Sequence, residues 1–575
     1  MNEILSKYCP RIDFESYEDF YVNYRCTVPE NFNFAFDVAD EWARIDPDKP
    51  ALIWTNDNGN IKKYSFGDIK RLSDKAANTL QSLGIAKGDV VMLILRQKPE
   101  VWIMMIALEK IGAVCIPGTY QLTKKDLVYR CNIAEVKMLI TVDDEELLST
   151  ITAALPECGT ILHKAAVGSA IPQGFIDLRK AIDEAPEAFQ QLKDGTRLSE
   201  PMLIYFSSGT TGMPKMVLHD HSLPLGHIVT AKYWHGVEDG KVHLTQTDSG
   251  WAKFAWGKIY GQWICGAVIG AYDTERFTPS GLLEALQRLQ PFSFCAPATI
   301  FRFLIKEDLS AYDFSFIEHA SVAGEPLSPE VHHQIAEKTN MKIREGFGQS
   351  ETSVMAACFT WLPVRPGSMG KPAPLFELDL LDETGRSCDD GIVGNISITA
   401  AGEPGTIGLR PDLSGVSLSK DDGNSVPGLF RGYWKDDDIT RACWYNGAYR
   451  TGDMAWRDTE GYYWFVGRND DVIKCSGYRI GPFEVESALM EHPSVLECAV
   501  TAVPDPIRGQ IVKATIVLAK GYEGSDALIK EFQNHVKQAT APYKYPRIVE
   551  FVSELPKTVS GKIQRNIIRQ RDAKK

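Results

Sequence analysis

Apolar positions recur at two different spacings in the first part of the chain, and these predict alternating helices and strands. After Ser65, apolar residues return every three or four positions as far as Leu83, which predicts a helix with one buried face that ends at Gly84. Ser65 and Asp68 have the spacing of a capping box at its start. The nearly continuous apolar run at 89–95 instead predicts a buried strand.

This alternation continues along the next fifty residues. Segment 99–112 predicts a second helix, and segments 113–117 and 136–142 predict two further strands. Strands that are apolar throughout are typical of a parallel sheet that helices cover on both faces. We therefore predict a doubly wound α/β fold for the first half of the chain.

A domain boundary is predicted near the start of the last hundred residues. The sequence GRNDD at 467–471 separates two strand-like segments, so we place a hinge at 469–471, between an N-terminal domain (1–468) and a C-terminal domain (472–575). The C-terminal domain is expected to be small and α+β. Its strand patterns lie at 495–503 and 511–519, and its helical pattern lies at 526–538.

Composition narrows the class of protein. With 44% hydrophobic and 24% charged residues over 575 positions, the chain has the composition of an ordinary globular enzyme of several folding units. A formal net charge of −13 argues against a nucleic-acid binder. The twelve cysteines contain no CxxC spacing, so neither a zinc site nor a disulfide framework is indicated.

The ends of the chain suggest a compartment and one charged surface. The first residues are too acidic for a transit peptide, and no apolar run reaches the length of a membrane span, so we expect a cytoplasmic protein without a membrane span. Residues 541–575 carry nine lysines and arginines against three acidic residues, a local charge of +6. This basic segment is either a solvated tail or a binding surface for a polyphosphate.

The segment MLIYFSSGTTGMPK (202–215) has the features of a phosphate-binding loop. An apolar strand leads into small residues whose backbone N–H groups and hydroxyls can surround anionic oxygens, and a lysine closes the loop. The spacing is not that of a Walker loop. The loop residues are Ser207, Ser208, Gly209, Thr210, Thr211 and Gly212, and the closing lysine is Lys215.

Five further motifs follow in order and give the chain a family resemblance. They are AGEP (323–326), GFGQSET (346–352), YRTGD (449–453), GRNDDVIKCSGYRIGPFEVE (467–486) and PKTVSGKIQR (556–565). With the loop above, the chain resembles the adenylate-forming superfamily over nearly its whole length. The resemblance is strongest to the medium-chain acyl-CoA synthetases, through GYRIGPFEVE, VPDPIRGQ and PYKYPR.

The resemblance implies both an architecture and a reaction. The expected architecture is a large N-terminal lobe of doubly wound α/β subdomains with a small β-barrel-like part, followed by a mobile C-terminal domain. The expected reaction joins a medium- or branched-chain carboxylic acid to coenzyme A through an acyl-adenylate, with ATP as co-substrate and Mg²⁺ as cofactor. A homodimer is left open.

Several residues are expected to hold the nucleotide. The carboxylate of Asp453 can accept from both ribose hydroxyls, and the guanidinium of Arg468 suits ribose or phosphate oxygens. Glu351 is a strong ligand for a hard cation, and the resemblance makes it the Mg²⁺ ligand. The further nucleotide residues that the resemblance implies are Gly324, Glu325 and Pro326 at the adenine, Ser350 at the α-phosphate, and Glu345, Gly346, Phe347, Gly348, Gln349 and Arg479 nearby.

Catalysis is expected to need positive charge and a domain rotation rather than a protein nucleophile. The resemblance makes Lys562 the lysine that bridges carboxylate and α-phosphate during adenylation, assisted by Lys215 and Glu351. It makes Asp470 the hinge residue about which the C-terminal domain turns before thiolation. The coenzyme A residues that it implies are Ser476, Gly477, Tyr478, Arg508, Tyr545, Pro546, Arg547 and Gln121.

The aromatic segment at 249–263 has two interpretations. Aromatic stripes are usually core, whereas the resemblance places Trp251, Phe254 and Trp256 in the acyl pocket. Gly348 stands where acetate-specific relatives carry a tryptophan, so we expect open space there and a preference for longer acids. Lys253 and Lys258 depart from the family pattern, and a buried ammonium would favour an acid with a polar tail.

Four alternatives remain open at this stage. The enzyme could load a carrier protein instead of free coenzyme A, although no carrier domain is attached. It could be a short-chain ligase for acetate or propionate. A luciferase-like oxidoreductase would require oxygen, and a binding protein without activity is disfavoured because positions 351 and 562 carry Glu and Lys.

Overall fold

The computed structural model describes residues 2–191, 195–207, 213–399, 426–445, 447–475, 478–557 and 563–573. Its strands in chain order are β1 (Pro50–Asn56), β2 (Ile61–Ser65), β3 (Val90–Ile94), β4 (Val114–Pro117), β5 (Val136–Val142), β6 (His163–Val167), β7 (Ile176–Asp177), β8 (Pro201–Ser207), β9 (Lys215–Asp220), β10 (Val242–Thr245), β11 (Val268–Asp273), β12 (Ser293–Ala296), β13 (His319–Val322), β14 (Ile343–Phe347), β15 (Ala356–Ala357), β16 (Ser368–Pro372), β17 (Leu378–Leu381), β18 (Gly394–Ile398), β19 (Gly432–Tyr433), β20 (Trp444–Tyr445), β21 (Ala448–Arg457), β22 (Tyr463–Arg468), β23 (Ile473–Cys475), β24 (Tyr478–Ile480), β25 (Val495–Asp505), β26 (Gly509–Leu518) and β27 (Ile548–Phe551).

The α-helices lie between and over these strands. In chain order they are α1 (Glu3–Tyr8), α2 (Tyr17–Asn23), α3 (Glu41–Ile45), α4 (Phe66–Ser82), α5 (Glu100–Ile111), α6 (Lys124–Ile133), α7 (Glu145–Ala154), α8 (Leu178–Glu184), α9 (Leu223–Ile228), α10 (Lys253–Gly257), α11 (Tyr260–Ile264), α12 (Pro279–Leu289), α13 (Ala298–Leu304), α14 (Pro329–Thr339), α15 (Asp437–Ala442), α16 (Pro482–Met490), α17 (Asp526–Ala539) and α18 (Arg565–Asp572). Short π-helical turns at Ala35–Asp40 and Val229–Trp234 precede α3 and follow α9.

The helix and strand predictions for the first part of the chain are confirmed. Helix α4 begins after Ser65, whose side chain accepts from the backbone of Asp68 while the Asp68 side chain accepts from the Ser65 backbone, a complete capping box. Strand β3 pairs in parallel with β4 and β5. Helix α5 is buried along its whole length, which explains why its sequence is apolar on every side.

Two large sheets form the N-terminal lobe, and both have parallel centres. One runs in the order β19-β9-β8-β4-β3-β5-β6-β7, with β9 and β19 antiparallel at one end. The other contains the parallel set β1-β11-β10-β12-β13-β14 and continues through antiparallel strands as far as β17. The predicted doubly wound α/β class is therefore confirmed.

The expected barrel-like part is not a closed barrel in the described chain. Strands β15 and β16 pair with one another and extend the edge of the parallel sheet, and β22, β21, β18 and β17 follow outward from β16. Because β15 also pairs with β14, these strands add to the open sheet. The expectation is corrected to an antiparallel extension of the second sheet.

The C-terminal part is a smaller α+β unit, as predicted. Its sheet runs β24-β23-β26-β25 with β27 beside β26, and α16 and α17 contribute Val485, Leu489, Phe532 and Val536 to a core of its own. The segment VIKCSGY contributes to a hairpin, with Ile473 opposite Ile480, rather than forming one strand. Within the described ranges, no helix is both long and apolar enough to cross a membrane.

Candidate active site

The predicted phosphate loop joins two antiparallel strands of the first sheet. Strand β8 ends at Ser207, which lies opposite Lys215 at the start of β9, so the strand before the loop is confirmed. The loop positions Ser208, Gly209, Thr210, Thr211 and Gly212 lie outside the described residues. This hairpin fixes the backbone of Lys215 directly beside the base of the loop.

Lys215 is brought close to the predicted metal ligand through a tyrosine. Its Nζ lies 4.8 Å from the ring centroid of Tyr433, and the Tyr433 hydroxyl donates a 2.9 Å hydrogen bond to Oε1 of Glu351. Tyr433 reaches this position because β19 pairs with β9. Burial and the negative charge of Glu351 both raise the pKa of Tyr433, so its hydroxyl remains a donor.

The predicted ribose ligand is held by a residue of another motif. Gln349 donates through Nε2 to Oδ2 of Asp453 at 2.6 Å and to the Thr451 carbonyl at 2.9 Å, while its Oε1 accepts from Tyr449 at 2.8 Å. Asp453 lies in β21 opposite Arg468 in β22. The motifs GFGQSET, YRTGD and GRNDD are thereby brought together at one place.

The segment AGEP follows the strand next to the one that carries GFGQSET. Strand β13 ends at Val322, which pairs with Glu345 of the parallel strand β14, so both motifs emerge from carboxyl ends of adjacent strands. The carboxylate of Glu325 accepts from the Thr299 backbone at 2.9 Å and from Arg302 at 3.0 Å. Burial opposes its charge, but Arg302 and the bonds from Thr299 lower the pKa of Glu325 overall.

Glu345 faces the protein framework. One carboxylate oxygen accepts from the backbone N–H of Gly367 at 2.8 Å and the other from that of Leu327 at 3.3 Å. Burial raises the pKa of Glu345 to about 8, although these two bonds work in the opposite direction. The side chain thus joins the end of the AGEP segment to the loop before β16.

The space expected beside Gly348 is occupied. A Cβ atom at this position would lie 2.4 Å from Cη2 of Trp256 and 2.6 Å from the carbonyl oxygen of Ser353. The expectation of open space at Gly348 is therefore wrong, because Trp256 lies against the glycine. The neighbouring Gly346 is covered in the same way, since its Cβ would lie 2.4 Å from the ring of Trp234.

Only part of the predicted acyl segment can line a pocket. Phe254 is completely buried and its ring centroid lies 5.2 Å from that of Trp102, so it belongs to the core, which corrects the prediction for this residue. Trp251 is half-buried, and Trp256 retains a small exposed fraction. The wall against Gly348 is therefore formed by Trp256.

The two unusual lysines of this segment point to different places. Lys253 donates to the carbonyl oxygen of Ala323, next to the AGEP glycine, and so lies on the nucleotide side. Lys258 is buried and donates to the carbonyl oxygen of Thr245 at 3.0 Å. Burial lowers the pKa of Lys258 to about 7, with partial opposition from the charge of Asp273.

The described coenzyme A residues of the C-terminal part lie in or beside the strands of its sheet. Strand β23 pairs with β26 through Cys475 and Gly509, which places the Arg508 turn beside the chain that leads into Ser476 and Gly477. Those last two residues lie outside the described residues. Tyr478 is exposed, and its ring stacks on that of Tyr543 at 4.1 Å.

The remaining predicted coenzyme A residues form hydrogen bonds with their immediate neighbours. Arg547 donates a 2.6 Å hydrogen bond to the Tyr545 hydroxyl, and the Pro546 carbonyl accepts from Gln533 at 3.0 Å. Gln121 lies in the N-terminal lobe next to Tyr120, its Nε2 3.5 Å from that hydroxyl. Gln121 has no hydrogen bond to the C-terminal members among the described residues.

Ion pairs link the N-terminal lobe and the predicted hinge to the C-terminal part. Arg479 of β24 pairs with Glu383 of the N-terminal lobe at 2.8 Å. The side chain of Asp470 is half-exposed and lies 4.0 Å from Arg468, whereas Asp471 pairs with Arg569 of α18. Lys562 lies outside the described residues.

Sequence reasoning missed three residues at this site. Tyr433 and Tyr449 hold Glu351 and Gln349, and His219 contacts the Ser350 carbonyl at 2.7 Å. Tyr449 is part of a motif that had been recognised, and attention to its other polar residues could have found it. His219 lies four positions after Lys215, but nothing in the sequence indicates its partner.

The fold and site define a class. A model of the family described as AMP-binding enzyme matches residues 39–402, and one described as AMP-binding enzyme C-terminal domain matches residues 484–562. The first match covers more than half of the chain, so the chain belongs to this family.

Comparison with individual relatives and with a solved structure shows where this chain lies within the family. Mouse acyl-coenzyme A synthetase ACSM3 is 40% identical over 569 residues, 97% of this chain and 94% of the relative; human ACSM5 is 40% identical over 557 residues, 95% and 92%. The crystal structure of the anthranilate CoA ligase AuaEII with anthranoyl-AMP has a TM-score of 0.82 at 26% identity, covering 95% of this chain and 98% of that one. The protein is an AMP-forming acyl-CoA synthetase, an acid–thiol ligase that uses ATP and coenzyme A.

The same comparison corrects the expected compartment. Both relatives are named mitochondrial, so the expectation of a cytoplasmic protein is wrong. That expectation came from the composition of the first residues, which does not identify a compartment.

Proposed function

We propose that the protein activates a medium- or branched-chain carboxylic acid with Mg·ATP and transfers the acyl group to free coenzyme A. The arrangement of Lys215, Tyr433 and Glu351 beside the Gln349–Asp453 pair carries this proposal. It combines a cation, a hard anionic ligand and a ribose acceptor, which are the groups that binding of ATP requires.

Mg²⁺ fits this site through Glu351. The buried carboxylate offers hard oxygen, and the described residues contain no group of three or more metal-ligating side chains. Mg²⁺ is commonly bound by one or two carboxylates together with substrate phosphates, so a single glutamate is a suitable donor set. The bound ion would neutralise charge on the phosphates of ATP.

In the first half-reaction, a carboxylate oxygen of the acid attacks the α-phosphorus of ATP, and the bond to the bridging oxygen of pyrophosphate breaks. The products are acyl-AMP and pyrophosphate. Lys215 and Lys562 are proposed to stabilise the charge that develops on phosphorus and on the leaving group. Asp453 and Arg468 hold the ribose, while Gly324, Glu325 and Pro326 border the adenine.

In the second half-reaction, the thiol sulfur of coenzyme A attacks the acyl carbonyl. The thiol loses its proton, the acyl–phosphate bond breaks and AMP leaves. We propose that domain 472–575 rotates about the hinge at 469–471, and at Asp470 in particular, relative to domain 1–468. Rotation would remove Lys562 and admit residues 476–478, with Arg508 and residues 545–547 holding coenzyme A and Gln121 contributing from the other lobe.

The rotation would also release an ion pair. Arg479 is proposed to face the nucleotide in one orientation, and it pairs with Glu383 at 2.8 Å in the structure. Both side chains are well exposed, so the pair contributes little stability and can exchange for a phosphate oxygen.

The proposed acid class is supported by the resemblance of the motifs to medium-chain synthetases. Gly348 no longer supports it, because Trp256 fills the adjacent space. We place the limit of the acyl pocket at Trp256, with Trp251 on its more exposed side.

A homodimer is a further proposal, which light scattering after size-exclusion chromatography tests.

Acid-dependent exchange of labelled pyrophosphate into ATP, measured across acids of two to ten carbons with and without branches, tests the first half-reaction. Formation of acyl-CoA from the same acids tests the second. We expect the highest kcat/KM for medium or branched acids with free coenzyme A. A maximum at acetate or propionate would identify a short-chain ligase, and exchange with transfer only to a phosphopantetheine carrier protein would identify a carrier-loading enzyme.

A further inference from the structure

A buried histidine connects the phosphate-loop hairpin to the motif that carries the metal ligand. His219 lies in β9, and its Nε2 is 2.7 Å from the carbonyl oxygen of Ser350. Because a carbonyl oxygen can only accept, Nε2 carries the proton and Nδ1 does not. That Nδ1 is buried and has no hydrogen-bond partner among the described residues.

The contact determines the orientation of one peptide group. In a trans peptide the carbonyl of Ser350 and the N–H of Glu351 point in opposite directions. Since the carbonyl points at His219, the N–H of Glu351 points away from β9. Among the described residues, no backbone carbonyl accepts a hydrogen bond from this N–H.

Strand geometry connects this peptide to the lysine of the loop. Lys215 and His219 are four residues apart in β9, so their side chains leave the same face of the strand. Lys215 lies over Tyr433, which bonds Glu351, and His219 bonds Ser350. One strand face therefore holds two consecutive residues of the GFGQSET motif.

We propose that His219 is a positioning residue that fixes the Ser350–Glu351 peptide so that its N–H and the flanking side chains meet the phosphates of ATP. This inference rests on the proposed placement of the phosphates at Ser350 and Glu351. The histidine acts through the peptide and does not contact substrate.

The environment of His219 keeps the ring neutral. The side chain is buried, and burial lowers the pKa of His219 to about 4, although the bond to Ser350 opposes that change. The ring is therefore a neutral hydrogen-bond donor at neutral pH. A side-chain amide of the right length can donate the same bond.

Two isosteric amides provide the test. The amide nitrogen of glutamine reaches the position of Nε2, whereas that of asparagine reaches only the position of Nδ1. We expect His219→Gln to keep the KM for Mg·ATP within about twofold of the wild type. His219→Asn should raise it by about threefold to tenfold, the loss expected for one hydrogen bond. The KM for the acid should be similar in both variants.

His221 provides the matched control. It is equally buried and lies two residues later, and the charges that act on its ring are those of Glu200 and Lys87. His221→Asn should leave the KM for Mg·ATP unchanged. Thermal unfolding of all variants separates loss of fold from loss of positioning.

The outcomes are distinguishable. Equal KM values for Mg·ATP in His219→Gln and His219→Asn, with wild-type enzyme active in pyrophosphate exchange, overturn the role of His219 alone. Absence of exchange in the wild type overturns the proposed function and this inference with it. A KM effect confined to His219→Asn supports both.

Discussion

The hydroxyl of Tyr433 donates a 2.9 Å hydrogen bond to Glu351, the residue proposed to hold Mg²⁺. The two residues are 82 positions apart in the chain, and β19 brings them together by pairing with β9. A bond between a neutral donor and a carboxylate orients the acceptor more strongly than a neutral pair does.

Tyr433→Phe should therefore weaken the binding of Mg·ATP while the ring beneath Lys215 remains. A hydrogen bond to a charged group contributes roughly 1.5–3 kcal/mol, so we expect the KM for Mg·ATP to rise by about tenfold or more. Titration of Mg²⁺ at a fixed concentration of ATP, followed by pyrophosphate exchange, measures this change in the binding of Mg·ATP. Tyr463→Phe, which removes a hydroxyl bonded to the Leu378 carbonyl, is the control. An unchanged Mg²⁺ dependence in Tyr433→Phe would refute the role.

Gly348→Ala should lower kcat/KM for every acid, since its Cβ would collide with both Trp256 and the Ser353 carbonyl. Overpacking of this kind costs about 1–3 kcal/mol of folding free energy, or is relieved by a shift of the site. Trp256→Leu should instead favour longer acids, by about fourfold for each methylene that enters the vacated space. Adding Trp256→Leu to Gly348→Ala should restore only part of the activity, because the backbone contact remains. A chain-length profile unchanged by Trp256→Leu would place the pocket wall elsewhere.

Lys562→Ala should abolish most adenylation but spare thioester formation from supplied acyl-AMP, because the lysine is proposed to act in one orientation of the C-terminal domain. Loss of one group that stabilises transition-state charge typically costs about 100-fold or more in rate. Lys557→Ala is the matched control, since Lys557 pairs with Glu497 at 2.7 Å. Equal losses in both half-reactions of Lys562→Ala would show that the assignment is wrong.

Asp470→Pro should show the reverse pattern, with adenylation kept and thioester formation slowed. Proline fixes φ near about −65° and restricts the residue before it, which removes the freedom that a hinge needs. Asp470→Ala should be close to wild type, because the Asp470 side chain is half-exposed and lies 4.0 Å from Arg468. Normal acyl-CoA turnover in Asp470→Pro would eliminate this hinge position.

Lys258→Met should change the pH dependence of stability. Burial lowers the pKa of Lys258 from 10.5 to about 7, so the lysine destabilises the fold fully below pH 7, and this cost disappears as pH rises toward 10.5. The melting temperature of the variant relative to wild type should therefore be higher at pH 6.5 than at pH 9.

The control for this prediction is Lys110→Met. Lys110 is also buried, but it pairs with Asp74 at 2.5 Å and Asp40 at 2.8 Å. Its removal leaves these two carboxylates with only the more exposed Lys70 as a cationic partner, and it should destabilise the fold at both pH values. If the difference in melting temperature between Lys258→Met and wild type is the same at pH 6.5 and pH 9, the lowered pKa of Lys258 is contradicted.

The sequence by itself determined the local elements and the family. The capping box of α4, the buried strands β3 and β5 and the strand before the phosphate loop depend on spacing within a few residues, and each appears as predicted. The motifs lie in order along the chain, so the class of enzyme could be inferred without the fold.

Only the tertiary structure decided which distant residues meet. His219 and Ser350 are 131 positions apart, and no periodicity relates them. Trp256 closes the space at Gly348, which the sequence had suggested was open, because the shape of a pocket depends on side chains from separate elements. Propensity and spacing act over a few residues, whereas the packing of β9, β19 and α10 around the motifs is set by long-range burial, which no local pattern contains.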